Sequence, residues 1–364
     1  MICSAARRRM EPARYLLVKG FSGIGNRLQA LAEGIIYARL SRRRLLIDWN
    51  DSLYSSDGKD IFHRLCELPV AGRIIDIPPD ASVAPAIWSG RLDHPFDAMI
   101  EQHRLSFGTQ ARSSLSIDPD VDYAETVAVM YDWTFRLPRL LDRPAPCPDE
   151  WRGLSATELL RKLLREGVRP NARIATRIEE FVRAHFGTPT IGVHVRQTDN
   201  MSAAWIDRKG VSVSAIDTLL GERLHSEPGA TIFLATDNRA VEKSFLRRYD
   251  RVVIHPKWYP RAAGEAIHGH YACPDKLRAA EDAFIDLYLL SRCDVLIYSS
   301  RTTFARCAGY ISEQPTNRRF DVAEVPPAAN ETARWIVRPP WWDDLPRRVA
   351  RGTLRRLRRP FISP

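Results

Sequence analysis

Short apolar runs that end in polar residues mark the first predicted β-strands of the chain. Residues 15–19 and 45–48 are such runs, and residues 26–42 between them have the apolar spacing of a helix. A strand, a glycine-containing turn, a helix and a second strand in this order indicate a unit whose strands are parallel and whose helix covers the sheet. The chain is therefore predicted to begin as an α/β protein.

The second half of the chain repeats this alternation more regularly. The predicted strands are 190–195, 231–235, 252–254 and 294–298, and the predicted helices are 238–248, 276–292 and a stretch that begins at 302. Strands and helices that alternate at these lengths are typical of a doubly wound, Rossmann-like domain. A second parallel sheet is expected here.

The region between these two parts has a different character. Residues 52–148 contain proline-rich stretches and few regular periods, so the pattern places no elements in them. Residues 155–186 have leucine and isoleucine at helical spacing and are predicted to be helices that link two lobes. Two lobes also fit the length of 364 residues, which is long for one core.

Composition narrows the class of protein. Hydrophobic residues make up 45% of the chain and charged residues 27%, as in ordinary soluble globular proteins. The net charge of +10 comes largely from seven arginines in residues 347–359, so the remainder is mildly basic and no nucleic-acid partner is predicted. Six cysteines without C-x-x-C spacing are predicted to be reduced thiols.

Polar side chains follow three predicted strands of the second half, where each strand ends. His194 stands near the end of the first strand and Arg196 and Asp199 follow it. Residues 236–237 (Thr-Asp) follow the second strand, and residues 299–303 (Ser-Ser-Arg-Thr-Thr) follow the last. Ligands bind at the carboxyl ends of parallel strands, so these side chains are expected to converge on one site.

The residue types at these strand ends suit a nucleotide. A guanidinium can grip two phosphate oxygens, and hydroxyls at a helix start add donors beside its backbone N–H groups. Taken singly, each feature also has a structural interpretation: His194 as a core side chain, Arg196 as a partner of Asp199, and the hydroxyls as a helix cap. Asp286, inside the apolar run 283–290, is expected to be buried with a partner.

The glycine turn at residues 20–25 is open to two further interpretations. It could bind a pyrophosphate at the start of the following helix, as in NAD-dependent oxidoreductases, or it could be a purely structural tight turn. The order of its glycines differs from G-x-G-x-x-G, and no Tyr-x-x-x-Lys pair follows it in the chain. Asn26 directly after the turn suits either an N-cap or a ligand contact.

Metal-dependent glycosyl transfer would be indicated by a D-x-D sequence that follows a strand. Asp118-Pro119-Asp120 matches these letters, but its proline and its polar flanks indicate a loop. No metal ligand set is therefore predicted.

Several of these segments together resemble a known family. Residues 194–199 (His-Val-Arg-Gln-Thr-Asp), 235–238 (Ala-Thr-Asp-Asn) and 284–306 are similar to three motifs of the GDP-fucose-dependent α-1,6 and protein O-fucosyltransferase superfamily, in particular its NodZ-type nodulation fucosyltransferases. Residues 23–26 resemble the glycine-asparagine turn of these enzymes, and residues 46–49 their next strand. The resemblance is clear over residues 15–54 and 188–310.

This resemblance implies the GT-B fold, in which two Rossmann-like lobes with parallel sheets face each other. The expected boundaries are 1–187 for the acceptor-side lobe, 188–320 for the nucleotide-sugar lobe and 321–364 for a C-terminal extension. It also implies an inverting, metal-independent transfer of L-fucose from GDP-β-L-fucose to a saccharide hydroxyl, such as O6 of N-acetylglucosamine. GDP-fucose and a glycan acceptor are then the expected partners, without a cofactor.

The resemblance also implies roles for individual residues. Arg196 is expected to stabilise the leaving diphosphate, where other transferases use a metal, and Asp199 is a candidate for the base. The residues expected to bind or brace the donor are Gly23, Gly25, Asn26, His194, Thr236, Asp237, Asp286, Ser300, Thr302 and Thr303. The chain departs from the family at the base, because the glutamate of the eukaryotic α-1,6 enzymes falls near Ala204, and Asp207 is a second candidate.

Location and the two rival functions complete the expectations. No run of about 18 apolar residues occurs, so a cytoplasmic protein is predicted. Near the C-terminus, an amphipathic spacing among arginines is formed by Ala350, Leu354, Leu357 and Phe361. This pattern suits either contact with anionic lipid at the inner membrane surface or a solvated end. The rivals are an NAD(P)-dependent oxidoreductase and a non-catalytic protein that binds sugar nucleotides or glycans.

Overall fold

The computed structural model describes residues 13–72, 74–106, 109–131, 147–197, 213–260, 267 and 273–324. Its strands are β1 (Tyr15–Lys19), β2 (Arg44–Asp48), β3 (Cys66–Glu67), β4 (Val83–Ala84), β5 (Val127–Met130), β6 (Arg169–Pro170), β7 (Thr190–Val195), β8 (Thr231–Thr236), β9 (Val252–Val253), β10 (Val295–Tyr298) and β11 (Arg319–Asp321). The α-helices are α1 (Ile24–Leu40), α2 (Phe62–Leu65), α3 (Phe96–Gln102), α4 (Thr109–Leu115), α5 (Ala156–Lys162), α6 (Ala172–His185), α7 (Val213–Ser226), α8 (Arg239–Arg248), α9 (Lys276–Ser291) and α10 (Thr303–Ile311).

The N-terminal lobe is built on a parallel sheet of four strands in the order β2-β1-β5-β4. All five residues of β1 are buried, because a central parallel strand is covered on both faces. Helix α1 follows β1 directly and packs against β1 and β2. The predicted β-α-β unit is confirmed, with the helix beginning two residues before the expected position.

The C-terminal lobe contains a parallel sheet of five strands in the order β11-β10-β7-β8-β9. β7 is central, and its residues are all buried. The strands predicted in the second half of the chain are confirmed to within one residue at each end. The sheet also includes β11, so the boundary expected at residue 320 passes through its last strand.

The segment at residues 147–187 contacts both lobes. Helix α5 continues into a π-helical turn at Leu163–Gly167, which packs against α1 and α10. Strand β6 pairs with β3 of the N-terminal lobe, whereas α6 packs on α9 of the C-terminal lobe. The predicted helical link is therefore confirmed, although a short strand interrupts it.

The two lobes are in direct contact, because one apolar cluster includes residues of both. It includes Leu28 and Ile36 of α1, Leu163 of the π-helical turn, Phe284 of α9 and Cys307 of α10. The direct contact of α1 with α10 is among the larger helix contacts in the protein. This shared core fixes the start of α1 beside the start of α10.

The region that the sequence pattern left without elements is ordered in part. It contributes β4 and β5 to the first sheet and helices α3 and α4 to its cover. Trp88, Phe96 and Tyr131 pack there as an aromatic cluster, and Nε1 of Trp88 donates a 2.7 Å hydrogen bond to the carbonyl of Leu115. In the part of the chain that the structure describes, no helix is long and apolar enough to cross a membrane.

Candidate active site

A cavity of about 310 Å³ lies between the two lobes, at the carboxyl ends of β1, β7 and β8. The N-terminal lobe contributes residues 22–26 and Tyr54 to its wall. The C-terminal lobe contributes the ends of β7 and β8, the loop after β9, one face of α9 and the start of α10. The convergence of the strand ends that the sequence predicts is therefore observed.

Two helices begin at this cavity. α1 starts at Ile24 and α10 starts at Thr303, and the first residues of both line the wall. The N–H groups of a helix's first turn have no partner inside the helix, and the helix dipole adds a partial positive charge there. The cavity therefore has two helix N-termini side by side, which is a favourable environment for an anion.

Gly25 makes this close approach of the helices possible. A Cβ atom at Gly25 would lie 2.4 Å from the backbone nitrogen of Phe304, so only glycine fits. Cys307 Sγ also lies 3.5 Å from the carbonyl oxygen of Gly25. The glycine turn has a packing role between the lobes as well as a place in the cavity wall.

Asn26 and Thr303 join the two helix starts through their side chains. The hydroxyl of Thr303 donates a 2.6 Å hydrogen bond to Oδ1 of Asn26, and Nδ2 of Asn26 donates one of 2.9 Å to the hydroxyl of Ser22. One turn further along, Arg306 of α10 donates to Gln29 of α1. Asn26 is thus held in a fixed orientation by groups from both lobes.

His194 lies at the end of β7 with its ring stacked on Phe304, the centroids 5.2 Å apart. Burial, together with the nearby positive charges of Arg196 and Lys257, lowers the pKa of His194 to about 3. The ring is therefore neutral at physiological pH. A neutral imidazole carries one N–H donor and one acceptor nitrogen, so His194 is suited to hydrogen bonding rather than to proton transfer.

Arg196 and Asp237 face each other where β7 and β8 end. Nε of Arg196 is 4.0 Å from Oδ2 of Asp237, and both side chains are about one-fifth exposed to the cavity. Oδ1 of Asp237 accepts a 3.0 Å hydrogen bond from the backbone N–H of Gln197. Asn238 caps α8 and also donates to the carbonyl of Gln197 at 3.1 Å. The two residues after β8 therefore fix the backbone next to Arg196.

Asp286 is buried within α9 and holds two partners from the loop after β9. Its Oδ2 forms an ion pair with Nζ of Lys257, and its Oδ1 lies 3.5 Å from Nδ1 of His255. Burial alone would raise the pKa of Asp286, but Lys257 and His255 together lower it below its usual value. Asp286 is thus an ionised carboxylate in the cavity wall. It is buried and has partners, as the sequence predicted.

Two further lining residues were not predicted. Tyr54 is buried beside the Arg27–Asp51 ion pair, with the Arg27 guanidinium 4.9 Å from its ring centre, and burial raises its pKa to about 12. Asp282 lies one turn before Asp286 and pairs with Arg177 and Arg278.

Most of the predicted site residues lie together in this wall. They are Gly23, Gly25, Asn26, His194, Arg196, Thr236, Asp237, Asp286, Thr302 and Thr303. Ser300 does not line the cavity, and its backbone N–H instead donates a 3.0 Å hydrogen bond to Oδ1 of Asp321. Asp199 and Asp207 lie outside the described residues.

The alternative D-x-D sequence lies elsewhere. Asp118 and Asp120 are in the turn between α4 and β5, where the backbone N–H of Asp118 donates a 3.0 Å hydrogen bond to the hydroxyl of Tyr123. Among the residues whose positions are described, no three His, Cys, Asp or Glu side chains are grouped as a metal site.

Lys257 is the site residue that sequence reasoning missed most clearly. It follows a strand of only two residues and stands in a loop, so no period marks it. The feature that could have indicated Lys257 is its position after a strand of the parallel sheet. It lies there between Pro256 and Trp258, which lines the cavity.

Comparison with known proteins agrees with this arrangement. The profile of the family described as Nodulation protein Z (NodZ) matches residues 150–328. Nodulation protein Z of Azorhizobium caulinodans is 26% identical over 332 residues, which cover 85% of this chain and 92% of the relative.

Solved structures share the fold. The fucosyltransferase NodZ from Bradyrhizobium is similar with a TM-score of 0.52 and 20% identity, over 83% of this chain and 94% of that one. A NodZ α-1,6-fucosyltransferase soaked with GDP-fucose gives a TM-score of 0.53 and 20% identity, over 82% and 93%. The two lobes thus have the GT-B arrangement that the sequence resemblance implied.

Proposed function

We propose that this chain, which resembles the NodZ fucosyltransferases in sequence and fold, is an inverting and metal-independent fucosyltransferase. It would transfer L-fucose from GDP-β-L-fucose to a saccharide hydroxyl. The observation that carries this proposal is the meeting of two helix N-termini, Arg196 and the Thr302–Thr303 hydroxyls in one cavity between the lobes.

The diphosphate of the donor fits this end of the cavity by charge. Arg196 supplies a permanent positive charge, and its Nε lies 4.0 Å from Oδ2 of Asp237. The starts of α1 and α10 add backbone N–H donors from both lobes. The hydroxyls of Thr302 and Thr303 donate to the carbonyl of Ser299 and to Oδ1 of Asn26, so these two residues hold the start of α10 in place.

The nucleoside end of the donor fits the part of the wall that contains His194, Asp237 and Asp286. His194 is neutral and offers one donor and one acceptor, and Asp286 and Asp237 offer carboxylate oxygens. Carboxylates accept hydrogen bonds from ribose hydroxyls and from the N–H groups of a purine ring. Tyr54 and Trp258 supply aromatic surface in the same wall.

Fucose transfer at this site would proceed in one displacement. The bond between C1 of fucose and the β-phosphate oxygen breaks as the acceptor oxygen bonds to C1 from the opposite face, which inverts the configuration from β to α. Negative charge then builds on the departing GDP, and fixed donors lower the barrier because they are already oriented toward it. Arg196 would carry this task without a metal.

The acceptor hydroxyl must also lose its proton. The described carboxylates of the cavity have other tasks in this proposal, since Asp237 and Asp286 bind the donor and Asp282 pairs with Arg177. We assign the base role to Asp199, three residues after Arg196, with Asp207 as the alternative. The acceptor we propose is O6 of N-acetylglucosamine in an oligosaccharide or glycoconjugate.

The proposed location is the cytoplasm, with the arginine-rich end at residues 347–359 in contact with anionic lipid at the inner membrane surface. Lysine and arginine near such a surface each contribute about 1 kcal/mol to binding. The full chain should sediment with vesicles of 30% phosphatidylserine and remain in solution with pure phosphatidylcholine. Equal sedimentation with both vesicles, or with neither, would reject the membrane contact.

The proposed activity is tested by incubating the protein with GDP-fucose and chitin oligosaccharides, with and without EDTA. We expect release of GDP and a fucosylated product in both conditions, with the α-1,6 linkage identified by NMR. Titration with NAD provides the control for the oxidoreductase alternative. NAD binding without GDP binding would overturn the proposal, and GDP-fucose binding without hydrolysis or transfer would favour the binding-protein alternative.

A further inference from the structure

Lys257 occupies a position in the cavity wall that the transfer chemistry above does not use. It follows β9 in the C-terminal lobe, and its side chain is only 7% exposed. Its Nζ pairs with Oδ2 of Asp286 and also lies 3.3 Å from the carbonyl oxygen of Thr236, at the end of β8. A buried ammonium with two such partners orients the groups it binds.

Asp286 depends on this ammonium for its charge. The carboxylate is almost fully buried, and its Oδ1 accepts no hydrogen bond from the residues that the structure describes. A carboxylate without a nearby cation would take up a proton in such surroundings, because burial disfavours the charged form. Ionised Asp286 keeps acceptor capacity for a ligand, whereas a protonated Asp286 would present a hydroxyl donor.

Among the described residues, Lys257 is the cationic side chain closest to Asp286. Nδ1 of His255, on the same loop, lies 3.5 Å from Oδ1 of Asp286 and forms no hydrogen bond with a described residue, so its contact is weaker than the ion pair with Lys257. His194 on β7 is neutral, since its pKa is about 3. Asp282 on α9 and Tyr259 after β9 bring no positive charge, and Arg196 is directed toward Asp237.

We propose that Lys257 is a positioning residue for the donor: it keeps the Asp286 carboxylate ionised and aimed, so that Asp286 accepts hydrogen bonds from the bound sugar nucleotide. The proposal rests on the function proposed above, because it takes the cavity to be the donor site. Lys257 acts through Asp286 and does not itself contact the ligand.

The first test measures GDP affinity of Lys257→Met by calorimetry between pH 7 and pH 9. The wild type should bind GDP with nearly constant affinity over this range. The variant should bind at least tenfold more weakly at pH 7 and recover toward wild type as pH rises, by up to about tenfold per pH unit. A weakened but pH-independent affinity, or an unchanged affinity, would reject the proposal. Lys257→Arg should retain the flat profile because it retains the cation.

The second test is a double-mutant cycle with Asp286→Asn, and it does not depend on whether Lys257→Met folds. Asp286→Asn leaves Nζ of Lys257 with only the carbonyl of Thr236 as its partner, whereas Asp286→Asn/Lys257→Met removes both charges of the pair. Because Lys257 works through Asp286, both variants should bind GDP equally weakly and without pH dependence. A further loss of affinity on removing Lys257 from Asp286→Asn would show direct contact with the ligand and overturn the proposal.

Two controls separate this inference from the proposed function. Lys243→Met removes a positive charge from an exposed position on α8 and should leave GDP affinity and its pH profile unchanged. If wild-type protein does not bind GDP, the proposed function fails and the inference fails with it. If wild type binds GDP and Lys257→Met binds equally well at every pH, only the inference fails.

Discussion

Thr303 of α10 donates a 2.6 Å hydrogen bond to the side-chain oxygen of Asn26 of α1, and this bond joins the two lobes at the floor of the cavity. Both residues stand in the first turn of their helices, so the bond also sets how far apart the two helix N-termini lie. The anion-binding end of the site is therefore formed jointly by the two lobes.

Removal of this bond is expected to cost stability and donor affinity together. Thr303→Val keeps the shape of the side chain but leaves Oδ1 of Asn26 without its donor, which should lower the free energy of unfolding by about 1 kcal/mol. The KM for GDP-fucose should rise because the helix starts are less well aligned. Urea unfolding of Thr303→Val, Asn26→Ala and the double variant measures the coupling, and purely additive losses would show that the bond does not join the lobes.

Gly25→Ala is expected to disturb the contact of the lobes directly. Its Cβ would meet the backbone of Phe304 at 2.4 Å, and backbone atoms cannot rotate away as a side-chain tip can. Overpacking of this kind costs about 1–3 kcal/mol. Urea unfolding measures the loss, and weaker GDP binding should accompany it.

The matched control is Gly221→Ala within α7, where nothing lies within 4 Å of the added atom. It should stabilise the protein by about 0.5–1 kcal/mol, because glycine is a poor helix former. A Gly25→Ala variant as stable as the wild type would contradict the packing role of this glycine.

The sequence pattern predicted the second sheet well and the first sheet incompletely, for physical reasons. Long buried strands such as β7 and β8 have apolar runs and are followed by helices with clear spacing. Strand β4 has two residues and is bounded by prolines and 3₁₀ turns, so no period identifies it. Its place in the sheet follows from pairing with β5, whose paired residues are 44 positions further along the chain.

The site was predictable to a similar degree. His194, Asp237 and Thr303 were placed at one site because each stands at or just after the end of a recognisable strand, and the carboxyl ends of parallel strands meet at one edge. The ion pair of Lys257 with Asp286 and the stacking of Phe304 on His194 join positions 29 and 110 residues apart. Such contacts leave no trace in the local spacing of a single sequence.

Arg196→Ala should remove most of the transfer activity without unfolding the protein. Loss of one preoriented donor to a developing negative charge typically lowers kcat by about 10²–10³-fold. Arg196→Lys should retain part of the activity, since it keeps the charge but not the forked geometry. The measurement is the steady-state rate of GDP release in the presence of acceptor.

Arg183→Ala on the exposed face of α6 serves as the matched control, with an expected rate equal to wild type. If Arg196→Ala transfers fucose at the wild-type rate, the assignment of Arg196 to the leaving diphosphate is wrong. If activity and the amount of folded protein fall equally, the substitution acts by destabilising the fold. Urea unfolding is therefore measured alongside the assay.

His194 should make the protein less stable in acid. Its pKa is about 3 in the folded state and about 6.5 when exposed, so the unfolded chain binds a proton that the folded chain rejects. The contribution to stability is complete above about pH 6.5 and is lost as pH falls toward 3. Between pH 7 and pH 5 the loss from this one residue is about 2 kcal/mol.

His194→Asn carries no titrating group, so its free energy of unfolding, measured in urea at pH 5, 6 and 7, should fall less steeply than that of the wild type. His225→Asn, at an exposed position on α7, should follow the wild-type curve. Parallel curves for His194→Asn and wild type would mean that His194 is not held neutral in the folded protein.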